Sequence, residues 1–66
     1  MQIHVNGAPF EAPEPCTVAA LLRLMGLEGK RCAVERNGDI VTRGDWAGCA
    51  VEPGDRLEVV RAIGGG

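Results

Sequence analysis
The 66-residue sequence holds no apolar run approaching the roughly 20 residues of a membrane span, and its start lacks the basic-then-apolar pattern of a secretion signal. It also lacks a basic cluster. With a formal net charge of −2 it offers no positive footprint for nucleic acid. The expectation is therefore a cytoplasmic protein with no membrane and no nucleic-acid partner. Three cysteines, Cys16, Cys32 and Cys49, form no CxxC pair, and the lone His4 cannot complete a ligand set, which argues against zinc. Without a secretion signal a disulfide framework is out of place, so the three read as small, partly buried hydrophobes. No nucleophile–base pair and no paired carboxylates at useful spacing can be assembled; Glu11, Glu14, Asp39 and Asp45 read as solvated loop charges. A chain of this size buries only about 60% of the surface it exposes when unfolded, which leaves no room for a deep cleft and its scaffold. An enzyme in its own right is the least favoured class.

The sequence does hold a single small domain, 45% hydrophobic and 24% charged, a globular balance without repeats or linkers. Gln2–Val5 alternates polar and apolar, the period-two pattern of a half-buried strand with Ile3 and Val5 inward. Asn6-Gly7 is a hairpin signal because both residues tolerate positive φ. The return strand spans Ala8 to Ala12, with Phe10 inward and Pro9 suited to an edge. After Pro13-Glu14-Pro15, Thr17 reads as a helix N-cap. Val18, Leu21, Leu22 and Met25 then line one face of a helix of eight or nine residues, which Gly26 stops and Leu27 covers.

Cys32–Arg36 reads as a third strand, Asn37-Gly38 as a second turn and Ile40-Val41 as a short fourth strand. Thr42–Trp46 reads as a turn with Trp46 folded over the open end of the core. Pro53-Gly54-Asp55 is a further turn. In the last strand, Arg56 to Arg61, both faces look apolar enough to be partly covered. One helix and about five strands predict an α+β domain: a mixed sheet with the helix across one face and the last strand central, parallel to the first.

That strand runs into Arg61-Ala62-Ile63-Gly64-Gly65-Gly66. Glycines lack side chains and are costly to order, so residues 61–66 read as a flexible tail. Six extended residues reach at most roughly 20 Å. The tail is either an inert frayed end or a thread that carries the Gly66 carboxylate into another protein's pocket.

In this order of elements, ending in Gly-Gly, the chain resembles the ubiquitin-like β-grasp proteins, and within them the ThiS family of sulfur carriers in thiamin biosynthesis. The resemblance spans essentially the whole chain. It rests on Gln2-Ile3 with Asn6-Gly7, Thr17-Val18 with Leu21-Leu22, Ala33-Val34 with Asn37-Gly38, and Gly54-Asp55. The more specific parts are the Arg43-x-x-Trp46 segment, following Val41, and the closing Ile63-Gly64-Gly65-Gly66. Thr42 stands where the family often has proline.

The resemblance implies a protein co-substrate that binds no cofactor itself. A ThiF-type adenylyltransferase would use ATP to adenylate Gly66. Sulfur from a cysteine desulfurase route would convert it to a thiocarboxylate, and thiazole synthase would receive that sulfur. Gly64 and Gly65 would thread the partners' active sites. Val60, Ala62 and Ile63, on the sheet face away from the helix, would dock the body, which is expected to be a monomer when free; that face reads equally as ordinary exposed apolar area. Rival readings are a carrier for another pathway, such as the small subunit of molybdopterin synthase, a ubiquitin-like protein modifier, and a plain interaction module with an inert tail.

Overall fold
Two Asn-Gly turns set the strand pairing. In a computed structural model, which describes residues 1–62, Asn6 and Gly7 take φ of 52° and 81°, the left-handed pair a two-residue hairpin needs. They join β1 (Gln2–Val5) to β2 (Ala8–Glu11), antiparallel with Ile3 opposite Phe10. Asn37 and Gly38 repeat the geometry at 51° and 89° and join β3 (Cys32–Arg36) to β4 (Asp39–Val41). The last strand, β5 (Arg56–Arg61), enters between the two hairpins, parallel to β1 and antiparallel to β3. The sheet order is β2-β1-β5-β3-β4, with β5 at the centre and Pro9 on an edge strand as its missing N–H requires.

The helix α1 (Val18–Leu24) makes the crossover between β2 and β3. Thr17 caps it, its Oγ1 accepting the Ala20 N–H at 3.1 Å. The stop is a pair of hydrogen bonds typical of a left-handed C-terminus: Gly26 N donates to Arg23 O at 3.0 Å and Leu27 N to Leu22 O at 2.9 Å, with Gly26 at φ 76°. The helix has seven residues, shorter than the eight or nine expected, because Met25 already serves as the C-cap. Its buried face is Val18, Leu21 and Leu22, with Met25 half-buried. These pack on Ile3, Val5, Val34, Leu57 and Val59 from three neighbouring strands. Each such fully buried side chain contributes roughly 1.5–3 kcal/mol relative to exposure.

Three further departures from the sequence reading have local causes. The return strand is bounded at Glu11, one residue short of the expected Ala12, although Ala12 is buried against the core and still exchanges hydrogen bonds with Met1, its N–H donating to Met1 O at 2.8 Å and its carbonyl accepting from Met1 N at 2.7 Å. The segment after β4 is a 3₁₀ helix, Arg43–Gly48, instead of a simple turn. Beyond it, Val18 N donates to Cys49 O and Val51 N to Cys16 O (2.9 and 2.8 Å), so residues 49–51 pin the start of α1 and bring Val51 and Cys16 into the core. Finally, β5 is covered on one face only. Leu57 and Val59 are buried, whereas Glu58 and Val60 on the opposite face are exposed, because the one helix lies on the other side of the sheet.

The three cysteines are free thiols, Cys16 buried and the other two half-buried. Burial pushes the Cys16 thiol above its ordinary range. Among the described residues no group of three or more His, Cys, Asp and Glu is placed to hold a metal, and no helix is long and apolar enough to cross a membrane.

Candidate functional site
The candidate site is the open sheet face and the point where β5 leaves it. Two turn asparagines hold β5 from opposite sides. On the β1 side the backbone ladder reaches Asn6 N, which donates to Leu57 O at 2.8 Å. The Asn6 side chain then continues the ladder: its Nδ2 donates to Val59 O at 3.1 Å and its Oδ1 accepts Val59 N–H at 2.7 Å. An amide side chain stands there for the strand residue that β1 no longer supplies. On the β3 side Asn37 Oδ1 accepts the Arg56 N–H at 2.9 Å, and Asn37 Nδ2 donates to Asp55 at 3.0 Å.

Asp55 is the one buried charged residue among those described, 6% exposed. Its carboxylate also accepts from Arg36 Nε at 2.7 Å and from Glu52 N at 2.8 Å. Burial alone would push this carboxyl up; the Arg36 hydrogen bond, the Glu52 N–H and the Asn37 amide outweigh it and hold it below the ordinary carboxylate range. The same pair raises the Arg36 guanidinium above its usual value, mainly through the hydrogen bond to Asp55. This network fixes the turn from which β5 starts.

At its far end β5 is held as far as Ala62, whose N–H donates to Arg31 O at 2.9 Å. Of the tail expected at 61–66, Arg61 is therefore the last residue of β5, opposite Cys32, and Ala62 is still tied to the sheet. The Arg43-x-x-Trp46 segment supports this exit. Trp46 Nε1 donates to Val41 O at 2.9 Å, the Arg43 guanidinium lies 5.4 Å from the Trp46 ring centre, and Arg43 Nη2 donates to Lys30 O at 3.1 Å. Lys30 precedes the residue whose carbonyl receives Ala62. The motif is thus a staple from the core to the loop beside the exit.

Of the docking residues expected from sequence, Val60 (62% exposed) and Ala62 lie together on the open face, beside Ala33, in a shallow groove flanked by Arg31 and Arg43. Ile63, Gly64, Gly65 and Gly66 lie outside the described residues. His4 is exposed on the same face, opposite Arg56. Sequence reasoning missed the side-chain work of Asn6, Asn37 and Asp55, which it read only as turn formers. Their one signal was that each turn abuts the apolar strand Leu57–Val60, whose backbone needs partners on both sides.

A five-stranded mixed sheet in the order 2-1-5-3-4, with a single helix across one face, defines a ubiquitin-like β-grasp domain. Within that class the sequence profile of the ThiS family matches residues 3–66. The chain belongs to the ThiS family, the sulfur carriers of thiamin biosynthesis. A crystal structure of the thiamine biosynthesis protein ThiS from Geobacter metallireducens is 30% identical and superposes with a TM-score of 0.84, each chain covered in full. Among curated proteins, the thiazole synthases of Magnetococcus marinus and Paramagnetospirillum magneticum are 41% and 42% identical over all 66 residues. This chain spans about a fifth of the length of each of those longer proteins, 20% in both cases. An uncharacterized protein, ycf40, of Pyropia yezoensis is 30% identical, with 93% of its length covered.

Proposed function
We propose that the chain is a protein co-substrate whose reacting group is the Gly66 carboxylate and whose folded body serves to dock. The carrying observation is the family match, which runs through Gly64, Gly65 and Gly66 to the last residue of the sequence. A carboxylate is a poor electrophile because resonance stabilises it and oxide is not a leaving group. A ThiF-type adenylyltransferase removes both obstacles: the carboxylate oxygen attacks the α-phosphorus of ATP, pyrophosphate departs, and a mixed anhydride with AMP results. The terminal sulfur of a persulfide, supplied by a cysteine desulfurase route, then displaces AMP from the acyl carbon. Cleavage of the resulting S–S bond by a thiol leaves the thiocarboxylate.

Thiazole synthase is the acceptor this reading favours, supported by the relatives in which a stretch similar to this chain forms part of a protein of that name. ATP is consumed by the partner; the carrier binds no cofactor of its own. The glycine run lets the backbone approach phosphate closely and pass a narrow entry that a side chain would block. Val60 and Ala62, with Ile63, are the contact residues of the body. The test is intact-mass analysis after incubation with the adenylyltransferase, ATP and a sulfur source. The expected product is heavier by the difference between one sulfur and one oxygen, and it is absent from a variant lacking Gly66. Sulfur found on a cysteine, and never on Gly66, overturns the proposal.

A further inference from the structure
The open face carries a charge arrangement that the packing of the domain does not explain. In the β3–β5 register Glu35 lies directly opposite Glu58, and Ala33 opposite Val60. Glu35 is also opposite Ile40, which is 77% exposed. One row across the sheet is therefore Glu58–Glu35–Ile40, and the next, toward the exit of β5, is Val60–Ala33. Like charges directly opposite one another on a sheet destabilise it. No salt bridge among the described residues involves either glutamate; the three present are Met1–Glu11, Arg23–Glu28 and Arg36–Asp55. Two adjacent carboxylates thus sit beside the apolar positions Ile40, Ala33 and Val60 on one side and Arg56 on the other, which lines one groove with them but forms no salt bridge with either.

A partner that covers Val60 and Ala33 also removes Glu58 and Glu35 from water. A buried carboxylate left without a cation is strongly unfavourable, and two side by side more so. Arg56, in the same groove, can offset only one of the two charges, so whatever covers this face must bring positive charge to that row. We infer that the Glu35–Glu58 pair on the open sheet face is a docking determinant for thiazole synthase, read by a lysine or arginine of the synthase set beside an apolar patch that meets Val60. The choice of thiazole synthase as occupant rests on the function proposed above. It follows that the charge row serves recognition at the expense of stability.

The experiment compares wild type, Glu35→Gln/Glu58→Gln and Glu58→Lys as full chains, each titrated with purified thiazole synthase of the same organism across a range of salt. The double variant is expected to melt at or above the wild-type temperature, to bind at least about tenfold more weakly at low salt, and to show a flatter salt dependence. Glu58→Lys is expected to bind more weakly still. Equal affinity and equal salt slope for wild type and double variant overturn the inference, as does a double variant that melts lower and loses affinity only in proportion to its unfolded fraction. A wild-type chain that acquires the thiocarboxylate yet fails to bind thiazole synthase overturns it while sparing the sulfur-carrier reading. A wild-type chain that acquires no sulfur defeats that reading itself.

Discussion

Replacing Asp55 by asparagine should be the most damaging polar substitution in the domain. The carboxylate receives hydrogen bonds from Arg36 Nε, Glu52 N and Asn37 Nδ2 at 2.7, 2.8 and 3.0 Å. Asparagine keeps one acceptor oxygen and turns a donor toward groups that are themselves donors. Removing one member of a buried ion pair costs about 3–5 kcal/mol. The Arg36 side chain is 30% exposed and regains some water, which lowers the expected loss to about 2–3 kcal/mol. A domain of 66 residues has a total stability of only about 3–10 kcal/mol at the usual per-residue values. The melting temperature should therefore fall by roughly 8–24 °C, at about 4–8 °C per kcal/mol for domains of this size.

Urea and thermal unfolding followed by far-UV circular dichroism measure this directly. Arg36→Met and the double variant complete a thermodynamic cycle. The pH dependence gives a second check. Because the folded-state pKa of Asp55 lies below its unfolded value, the carboxylate's contribution is fully present above the ordinary value of about 3.9 and is lost as pH falls through the folded value. Wild type should lose stability below about pH 4 more steeply than Asp55→Asn does. A variant within about 0.5 kcal/mol of wild type, or one with the same acid dependence, would refute the claim that this carboxylate anchors the turn.

Thr17→Ala should lose about 1 kcal/mol with the Oγ1–Ala20 cap, and Thr17→Ser should recover most of it, both read from urea midpoints. Asn6→Gly keeps the left-handed turn but removes both bonds to Val59; faster hydrogen exchange at the Val59 amide, with a stability loss of about 1–3 kcal/mol, is expected. Cys16 should react with iodoacetamide more slowly than Cys32 or Cys49 in the folded protein and at a similar rate in urea, as peptide mass mapping would show.

Element type and order were legible because each rests on local chemistry. The Asn-Gly pairs demand left-handed backbone, Thr17 and Gly26 bracket a 3.6-period stripe, and Ile3/Val5 and Leu57/Val59 alternate with polar neighbours. What stayed hidden depends on contacts distant in sequence. Asn6 meets Val59 across 53 positions, and Asp55 meets Arg36 across 19. No spacing rule announces such pairs. The expectation that both faces of β5 are partly covered failed for a related reason. Hydropathy records that a side chain avoids water, whereas the number of helices available to cover it is a property of the whole fold. At the site, Val60 and Ala62 were legible as exposed apolar residues, but the charge row beside them required the β3–β5 register.

The position of β5 bears on how a carrier of this kind must work. A terminal strand at a sheet edge can fray, and each residue released adds roughly 3.3–3.6 Å of slack to whatever follows. Here the strand is central, with β1 and the Asn6 side chain on one flank and β3 on the other, so pairing persists through Arg61 and one bond further at Ala62. Arg43 and Trp46 secure the loop that supplies that last acceptor. On the function proposed above, four residues, 63–66, separate the tied Ala62 from the Gly66 carboxylate, a span of at most about 14 Å and not the 20 Å that six residues would allow. On that reading a partner's reacting centre lies within that radius of Ala62 in the docked body. On the proposed function, docking on the open face and delivery of the Gly66 carboxylate are therefore one geometric requirement, and a partner that binds the face in a rotated pose could not be served by the same four residues.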